Sequence, residues 1–260
     1  QTADGLLLHT VVNLENGTHV FGSKNHGESW FLVKSPLIPG DESKIIELAN
    51  KNWMVNSRVN GYGKRFIHLS SDRGNTWESN VSEELNDPGC NASLIRFNDK
   101  IILFSNVNNS KNRENLSIRI SQDEGVSWSK SKTIYKGSAA YSSMSVLQNG
   151  EVGVFFEIDN YKKNVSSILN SKNIEKEGEI LNNFMILEYN QKGSFTGRLN
   201  GKKAKLENGY WILYEVIEYP RYSDSKFHKE LIYNTTIKYQ DISNSLISVS
   251  YTHLTLPTKA

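Results

Sequence analysis

The chain of 260 residues contains one cysteine, Cys90, five prolines and three methionines. A lone cysteine cannot close an internal disulfide, so no disulfide framework holds this fold and the redox compartment cannot be read from it. No uninterrupted apolar run approaches the roughly 18–20 residues that a membrane-spanning helix needs. Net charge is also missing: 30 Lys and Arg stand against 28 Asp and Glu, leaving +2. Nothing in that balance reads as a polyelectrolyte partner for nucleic acid or for a charged bilayer. The opening residues, Gln1-Thr-Ala-Asp-Gly, have neither an initiator Met nor a signal peptide and read as a trimmed start.

What is present is a repeat. Ser23-Lys-Asn-His-Gly-Glu-Ser-Trp30, Ser70-Ser-Asp-Arg-Gly-Asn-Thr-Trp77 and Ser121-Gln-Asp-Glu-Gly-Val-Ser-Trp128 share the pattern Ser-x-Asp-x-Gly-x-Ser/Thr-Trp, with Asn25 in the Asp place of the first. Their tryptophans recur about every fifty residues, a blade-length period. Asp and Asn bond nearby backbone N–H groups and tolerate left-handed backbone. Gly takes positive φ without a clash, and the Trp is expected to pack where the next strand enters the core. The flanks, such as Lys100-Ile-Ile-Leu-Phe-Ser and Leu116-Ser-Ile-Arg-Ile-Ser, alternate with strand periodicity. Strands and turns at this spacing predict an all-β protein with four-stranded propeller blades. Asp72 and Asp123 read as turn formers, Cys90 as a small buried residue, Glu47 as a structural partner and Arg119 as a solvated strand residue.

The repeat resembles the Asp-box of sialidases. Further segments match that family in place and order. They are Glu42-Ser-Lys-Ile-Ile-Glu-Leu-Ala-Asn, Val55-Asn-Ser-Arg58, Asp87-Pro-Gly-Cys-Asn-Ala-Ser-Leu, Asn112-Arg113-Glu-Asn-Leu, Gly137-Ser-Ala-Ala-Tyr141-Ser and Phe156-Glu-Ile-Asp-Asn-Tyr161. The resemblance runs over roughly residues 10 to 170. It implies a six-bladed β-propeller whose first blades precede this chain. It further implies Tyr141 as nucleophile, Glu42 as its base, and Arg58 and Arg113 as binders of the sialic acid carboxylate. The implied activity is that of an exo-α-sialidase: hydrolysis of terminal α-linked sialic acid from glycoproteins, gangliosides and oligosaccharides. No metal and no cofactor are implied, and the implied setting is secreted, cell-surface or periplasmic in a bacterium. The family's third Arg and its Asp acid/base catalyst have no counterpart here. No Arg precedes Arg58, and the context of Asp4 does not match, so the chain alone is expected to be inactive.

Without the resemblance, Tyr141 reads as a half-buried strand tyrosine, Glu42 as a loop acid, and the two arginines as surface or inter-blade pairs. A non-catalytic, sialic-acid-binding propeller and a purely structural Asp-box propeller are the competing functions. Three regions are expected: the propeller at 1–170, a β-rich module of unknown role at 171–248, and a non-native tail at 249–260, which resembles a translated sequencing adaptor. Within the module, Lys205-Leu-Glu-Asn-Gly-Tyr-Trp-Ile-Leu-Tyr resembles a strand pair in the periplasmic β-domain of lipopolysaccharide-export permeases. A carbohydrate-binding appendage is the other reading.

Overall fold

Runs of β-branched and aromatic residues pair as antiparallel strands throughout the computed structural model. It describes residues 1–13, 15–33, 36–169 and 174, and the backbone of five later strands between 184 and 238. The expected tail at 249–260 lies outside the described residues. The chain divides into two compact units, one of residues 1–144 with 157–161 and one of residues 145–156 with 162–260.

The first unit holds successive antiparallel sheets. Strands β1 (Leu7–Asn13), β2 (Gly17–Ser23) and β3 (Phe31–Leu32) form the first, and β4 (Ser43–Glu47), β5 (Trp53–Ser57), β6 (Lys64–Ser70) and β7 (Glu78–Asn86) the second. Next come β8 (Ser93–Asn98), β9 (Ile101–Val107), β10 (Glu114–Ser121) and β11 (Lys132–Val146), with β9 paired to β8, β10 to β9 and β11 to β10, and β12 (Val152–Ile158) follows in the chain. Every residue of β5 and of β9 is buried, whereas β7 is mostly exposed. Inner strands are therefore covered on both faces, and β7 carries Glu78, Glu83 and Glu84, charges that suit an exposed strand.

Alternation along β5 stacks the sheets. Trp53 and Val55 point into one core with Leu6, Val20, Val33 and Leu37. Met54, between them, points into a second core with Leu48, Leu85, Leu94, Ile102 and Phe104. One strand thus feeds two cores because successive side chains leave opposite faces.

The three repeats close the β2–β3, β6–β7 and β10–β11 turns with the same bonds. Ser70 Oγ donates to Asp72 Oδ1 (2.9 Å) and accepts Gly74 N–H (2.7 Å), while Asp72 Oδ1 also accepts Thr76 N–H (2.8 Å). Ser23, Asn25, Gly27 and Ser29 repeat this arrangement, as do Ser121, Asp123, Gly125 and Ser127. The residue before each Gly is left-handed: His26 at 55°, Arg73 at 60° and Glu124 at 62°. Gly74 is doubly required, since its φ is 88° and a Cβ there would meet Val33 Cγ1 at 2.3 Å. Trp128 packs on Phe104, ring centroids 5.5 Å apart. Trp30, expected to be packed, is instead 47 % exposed. Its ring meets His9 edge-on, centroids 6.5 Å apart, and its Nε1–H donates to Gly27 O at 3.1 Å.

Arg119 also departs from expectation. It is half-buried, its guanidinium donates to Ser129 O (3.0 Å), and burial lowers its pKa. The side chain lies back along its own hairpin instead of standing in water.

A fully buried ion pair joins the second sheet to the third. Arg65 on β6 donates from Nε to Asn56 Oδ1 (2.7 Å), from Nη2 to Asn56 O (3.1 Å), and from Nη1 to Cys90 O (2.8 Å). Its ion-pair partner is Asp87 at 3.4 Å, both side chains having 0 % exposure. Asp87 also accepts the N–H groups of Gly89 (2.9 Å) and Cys90 (2.8 Å) and an Asn106 Nδ2–H (3.0 Å).

The second unit pairs β13 (Lys163–Leu169), β14 (Phe184–Tyr189), β15 (Phe195–Leu199), β16 (Lys202–Glu207), β17 (Tyr210–Ile217) and β18 (Glu230–Lys238) as antiparallel neighbours in chain order. Among the described residues no helix is long and apolar enough to cross a membrane.

Two outcomes follow from these contacts. Arg65→Met leaves Asp87 buried without its cation and should lower stability by about 3–5 kcal/mol, read from the urea midpoint. Hydrogen bonds from Thr76 and Ser70 hold the Asp72 carboxyl at a pKa of about 2, below its ordinary 3.8. A depressed carboxyl stabilises the fold fully above its unfolded pKa and loses that contribution as pH falls through the folded one. The gap in urea midpoint between the native chain and Asp72→Asn should therefore be full above pH 4 and close towards pH 2.

Candidate active site

Glu42 precedes β4 and Arg58 follows β5. The β4–β5 ladder pairs Glu47 with Trp53 and Ser43 with Ser57. One step further it places Glu42 opposite Arg58, where Arg58 N–H donates to Glu42 O at 3.0 Å. The sixteen-residue spacing is thus the geometry of one hairpin, and the two side chains emerge together at its open end.

Arg113 and Tyr141 meet by the same logic on the next hairpin. Arg113 precedes β10, and Ala139 N–H on β11 donates to Arg113 O at 3.0 Å. A bulge between Glu114 and Leu116, with Asn115 left-handed at 61°, bends β10 just after Arg113. Tyr141 lies on β11, its N–H donating to Glu157 Oε2 at 3.2 Å.

These two strand ends bring all four side chains together. Arg58 Nη1 donates to Glu42 Oε2 in a short ion pair and to the Tyr141 hydroxyl at 3.2 Å. The Arg113 guanidinium lies over the Tyr141 ring, 5.6 Å from its centroid. Arg58 is further held by Asn60 Oδ1 (3.1 Å) and by Asp41 (3.6 Å). Arg113 Nη1 donates to the Tyr161 hydroxyl (2.5 Å) and Nη2 to Gly89 O (2.9 Å). A cavity of about 370 Å³ adjoins Arg113 and Tyr161, with Lys111, Asn112, Ser138 and Asn160 in its wall.

Electrostatics follow the geometry. Burial raises the Tyr141 pKa, and the hydrogen bond and charge of Glu42 raise it further, while Arg58 pulls the other way. The resting phenol is therefore neutral. Burial opposes the charge on Arg58, but Glu42 and Asp41 outweigh it and raise its pKa. Burial pushes the Cys90 thiol up to about 12, which makes it inert as a nucleophile.

Sequence reasoning passed over several residues of this cluster. Asp41 and Asn60 flank Glu42 and Arg58 by one and two positions, and hairpin symmetry is the signal that finds them. Tyr161 ends the quoted Phe156–Tyr161 segment but carried no role. Arg65 and Asp87 are fully buried and Glu157 is half-buried, positions that residue type alone does not announce.

Comparisons with known proteins place the chain in a family. The model of the BNR repeat-like domain matches residues 1–154. Over 162 residues the chain is 32% identical to a sialidase of Micromonospora viridifaciens, covering 57% of this chain and 25% of that protein. Over 147 residues it is 30% identical to a sialidase of Bacteroides fragilis, covering 52% and 27%. The chain thus spans about a quarter of the length of these relatives. A solved Hadza microbial sialidase superposes with a TM-score of 0.53 at 26% identity, over 61% of this chain and 34% of its own. A sialidase from Streptococcus pneumoniae gives 0.53 at 20% over 60% and 26%, a likeness of fold alone. Sialidases are β-propellers, and the consecutive antiparallel sheets here are blades of that kind. With the repeat-domain match over more than half of its residues and three Asp-box turns of identical wiring, the chain belongs to the BNR repeat-like domain family of the sialidase superfamily.

Proposed function

We propose that this chain is the part of an exo-α-sialidase that carries its nucleophile, its base and two of its carboxylate-binding arginines. The observation that carries the reading is one guanidinium, Arg58, bonded at once to Glu42 and to the Tyr141 hydroxyl. Sialic acid bears a carboxylate on its anomeric carbon, so a carboxylate nucleophile would meet like charge there. A neutral phenol avoids that repulsion, and tyrosine is the nucleophile that sialidases use. Phenols are poor nucleophiles near neutral pH and need a base within hydrogen-bond reach.

In this mechanism Arg58 and Arg113 bind the substrate carboxylate through paired, charge-assisted bonds. The Tyr141 oxygen attacks the anomeric carbon as the phenol proton passes to Glu42. The bond to the leaving oxygen breaks, and that oxygen takes a proton from the family's aspartic acid, for which these residues offer no counterpart. Water then attacks the anomeric carbon, giving a proton to that aspartate, as the bond to Tyr141 breaks and Glu42 returns its proton to the phenol oxygen. Residues 1–170 are assigned to this task and 171–248 to a separate β-module. Terminal sialosides of glycoproteins, gangliosides and oligosaccharides are the substrates proposed, and the 260 residues alone are inactive in this account.

In the longer protein, Tyr141→Phe should nearly abolish hydrolysis of a fluorogenic sialoside. Arg113→Lys should mainly raise KM, because a paired contact becomes a point charge. Tight sialoside binding with no turnover in the unsubstituted protein would favour a binding propeller instead. Glu42→Gln removes the negative charge beside the phenol, so Tyr141 should titrate at lower pH. Phenolate absorbance, taken as the difference from Tyr141→Phe, reads this shift.

A further inference from the structure

Three consecutive non-glycine residues, Asp159 (53°), Asn160 (54°) and Tyr161 (67°), all have left-handed backbone. Asp and Asn tolerate that region, but a bulky aromatic there is strained. Such strain persists only where surrounding contacts fix it. Here Asp159 N–H donates to Ser138 O (3.1 Å), and Asn160 N–H to Ser138 Oγ (3.2 Å). Ser138 Oγ donates to Asn160 Oδ1 (3.0 Å), and the Tyr135 hydroxyl donates to Asp159 Oδ1 (3.3 Å).

The strained turn delivers one side chain. The Tyr161 hydroxyl accepts Arg113 Nη1–H at 2.5 Å, and the guanidinium lies 5.9 Å from the Tyr161 ring centroid and 5.6 Å from that of Tyr141. Arg113 is therefore flanked by two aromatic rings and bonded at both of its terminal nitrogens, the second by Gly89 O. A guanidinium has five N–H groups. Two are committed to this frame, which leaves three to meet an anion.

We propose that Tyr161 is a positioning residue for Arg113. Its hydroxyl and ring hold the guanidinium in one orientation before substrate arrives, so that the long side chain's rotamer freedom is lost on folding and not on binding. That the anion received is the sialic acid carboxylate rests on the function proposed above. The purpose of the strained 159–161 turn is to place the phenol where an extended strand end could not. A tyrosine merely packed on the surface would have no such effect, and Tyr161 is 56 % exposed, so its hydroxyl can be removed without disturbing the core.

The test is Tyr161→Phe in the full chain, with two readouts. The first is nuclear magnetic resonance of the Arg113 guanidinium, assigned by comparison with Arg113→Lys. Restricted rotation, with resolved terminal N–H signals, is expected in the native chain, and averaged signals in Tyr161→Phe, with an unchanged melting temperature. Averaged signals in the native chain, or identical signals in both, overturn the proposal. The second readout is the dissociation constant for N-acetylneuraminic acid and for its methyl ester. Tyr161→Phe should weaken the free acid by about tenfold, the range of one charge-assisted bond, and leave the ester unchanged. Equal loss for acid and ester shows a general distortion and also overturns it. If the native chain holds Arg113 rigid but binds neither compound, the positioning role stands and the sialic acid reading falls.

Discussion

The buried guanidinium of Arg65 is the contact on which the first unit depends. A charge with no exposure survives only if its donors find acceptors, and Arg65 meets Asn56 within its own sheet and Asp87 and Cys90 O beyond it. Asp87 in turn caps the N–H groups of Gly89 and Cys90. That cap fixes the carbonyl of Gly89, which is an acceptor for Arg113. A core ion pair and a surface arginine are thus linked through one short loop, so stability and the shape of the candidate site are not separate matters here. The cores of Trp53 and Met54 supply apolar burial, which is non-directional. Directional order between the second and third sheets comes from hydrogen bonds such as those of Asn106 to Asp87, Arg96 to Glu47 O and Ala49 N–H to Glu124, which surround the buried Arg65 pair.

The site is an outcome of hairpin ends. Glu42 and Arg58 close one ladder, Arg113 and Tyr141 lie at the end of another, and neither pair needs a long loop to meet. Side chains on strand ends are held more firmly than on loops, which suits a cluster where a phenol, a carboxylate and a guanidinium must stay within hydrogen-bond reach.

Much of this was legible in the sequence, for reasons tied to particular residues. The Asp-box turns were legible because their chemistry is local: Asp72 bonds residues two to four positions away, so spacing alone carries the geometry. Glu42, Arg58, Arg113 and Tyr141 were legible as a set through resemblance, and the structure brings them together. Arg65 was not legible. It sits in Lys64-Arg-Phe-Ile-His-Leu-Ser, where a charged side chain beside Lys64 gives no sign of burial, and only the placement of Asp87 shows that it faces inward. Tyr161 escaped for a related reason, since its position depends on left-handed backbone that no periodicity announces. Trp30 departs in the opposite direction: the motif implies a packed ring, and the ring is 47 % exposed with His9 at its edge.

The turn at the far end of the β4–β5 hairpin acquires a reach beyond its size. It is made by Leu48 to Asn52, with Lys51 left-handed at 70° and Ala49 N–H bonded to Glu124 Oε2 at 2.7 Å. Glu124 belongs to the third Asp-box and is clamped by Arg96. About 17–20 Å of strand separates this turn from Glu42 and Arg58, yet it sets their register. A slip of one residue there would send every side chain of the strand to the opposite face, turning Glu42 away from the phenol. The repeat motif that looks like mere scaffolding thus also braces the turn from which the ladder carrying Glu42 is counted.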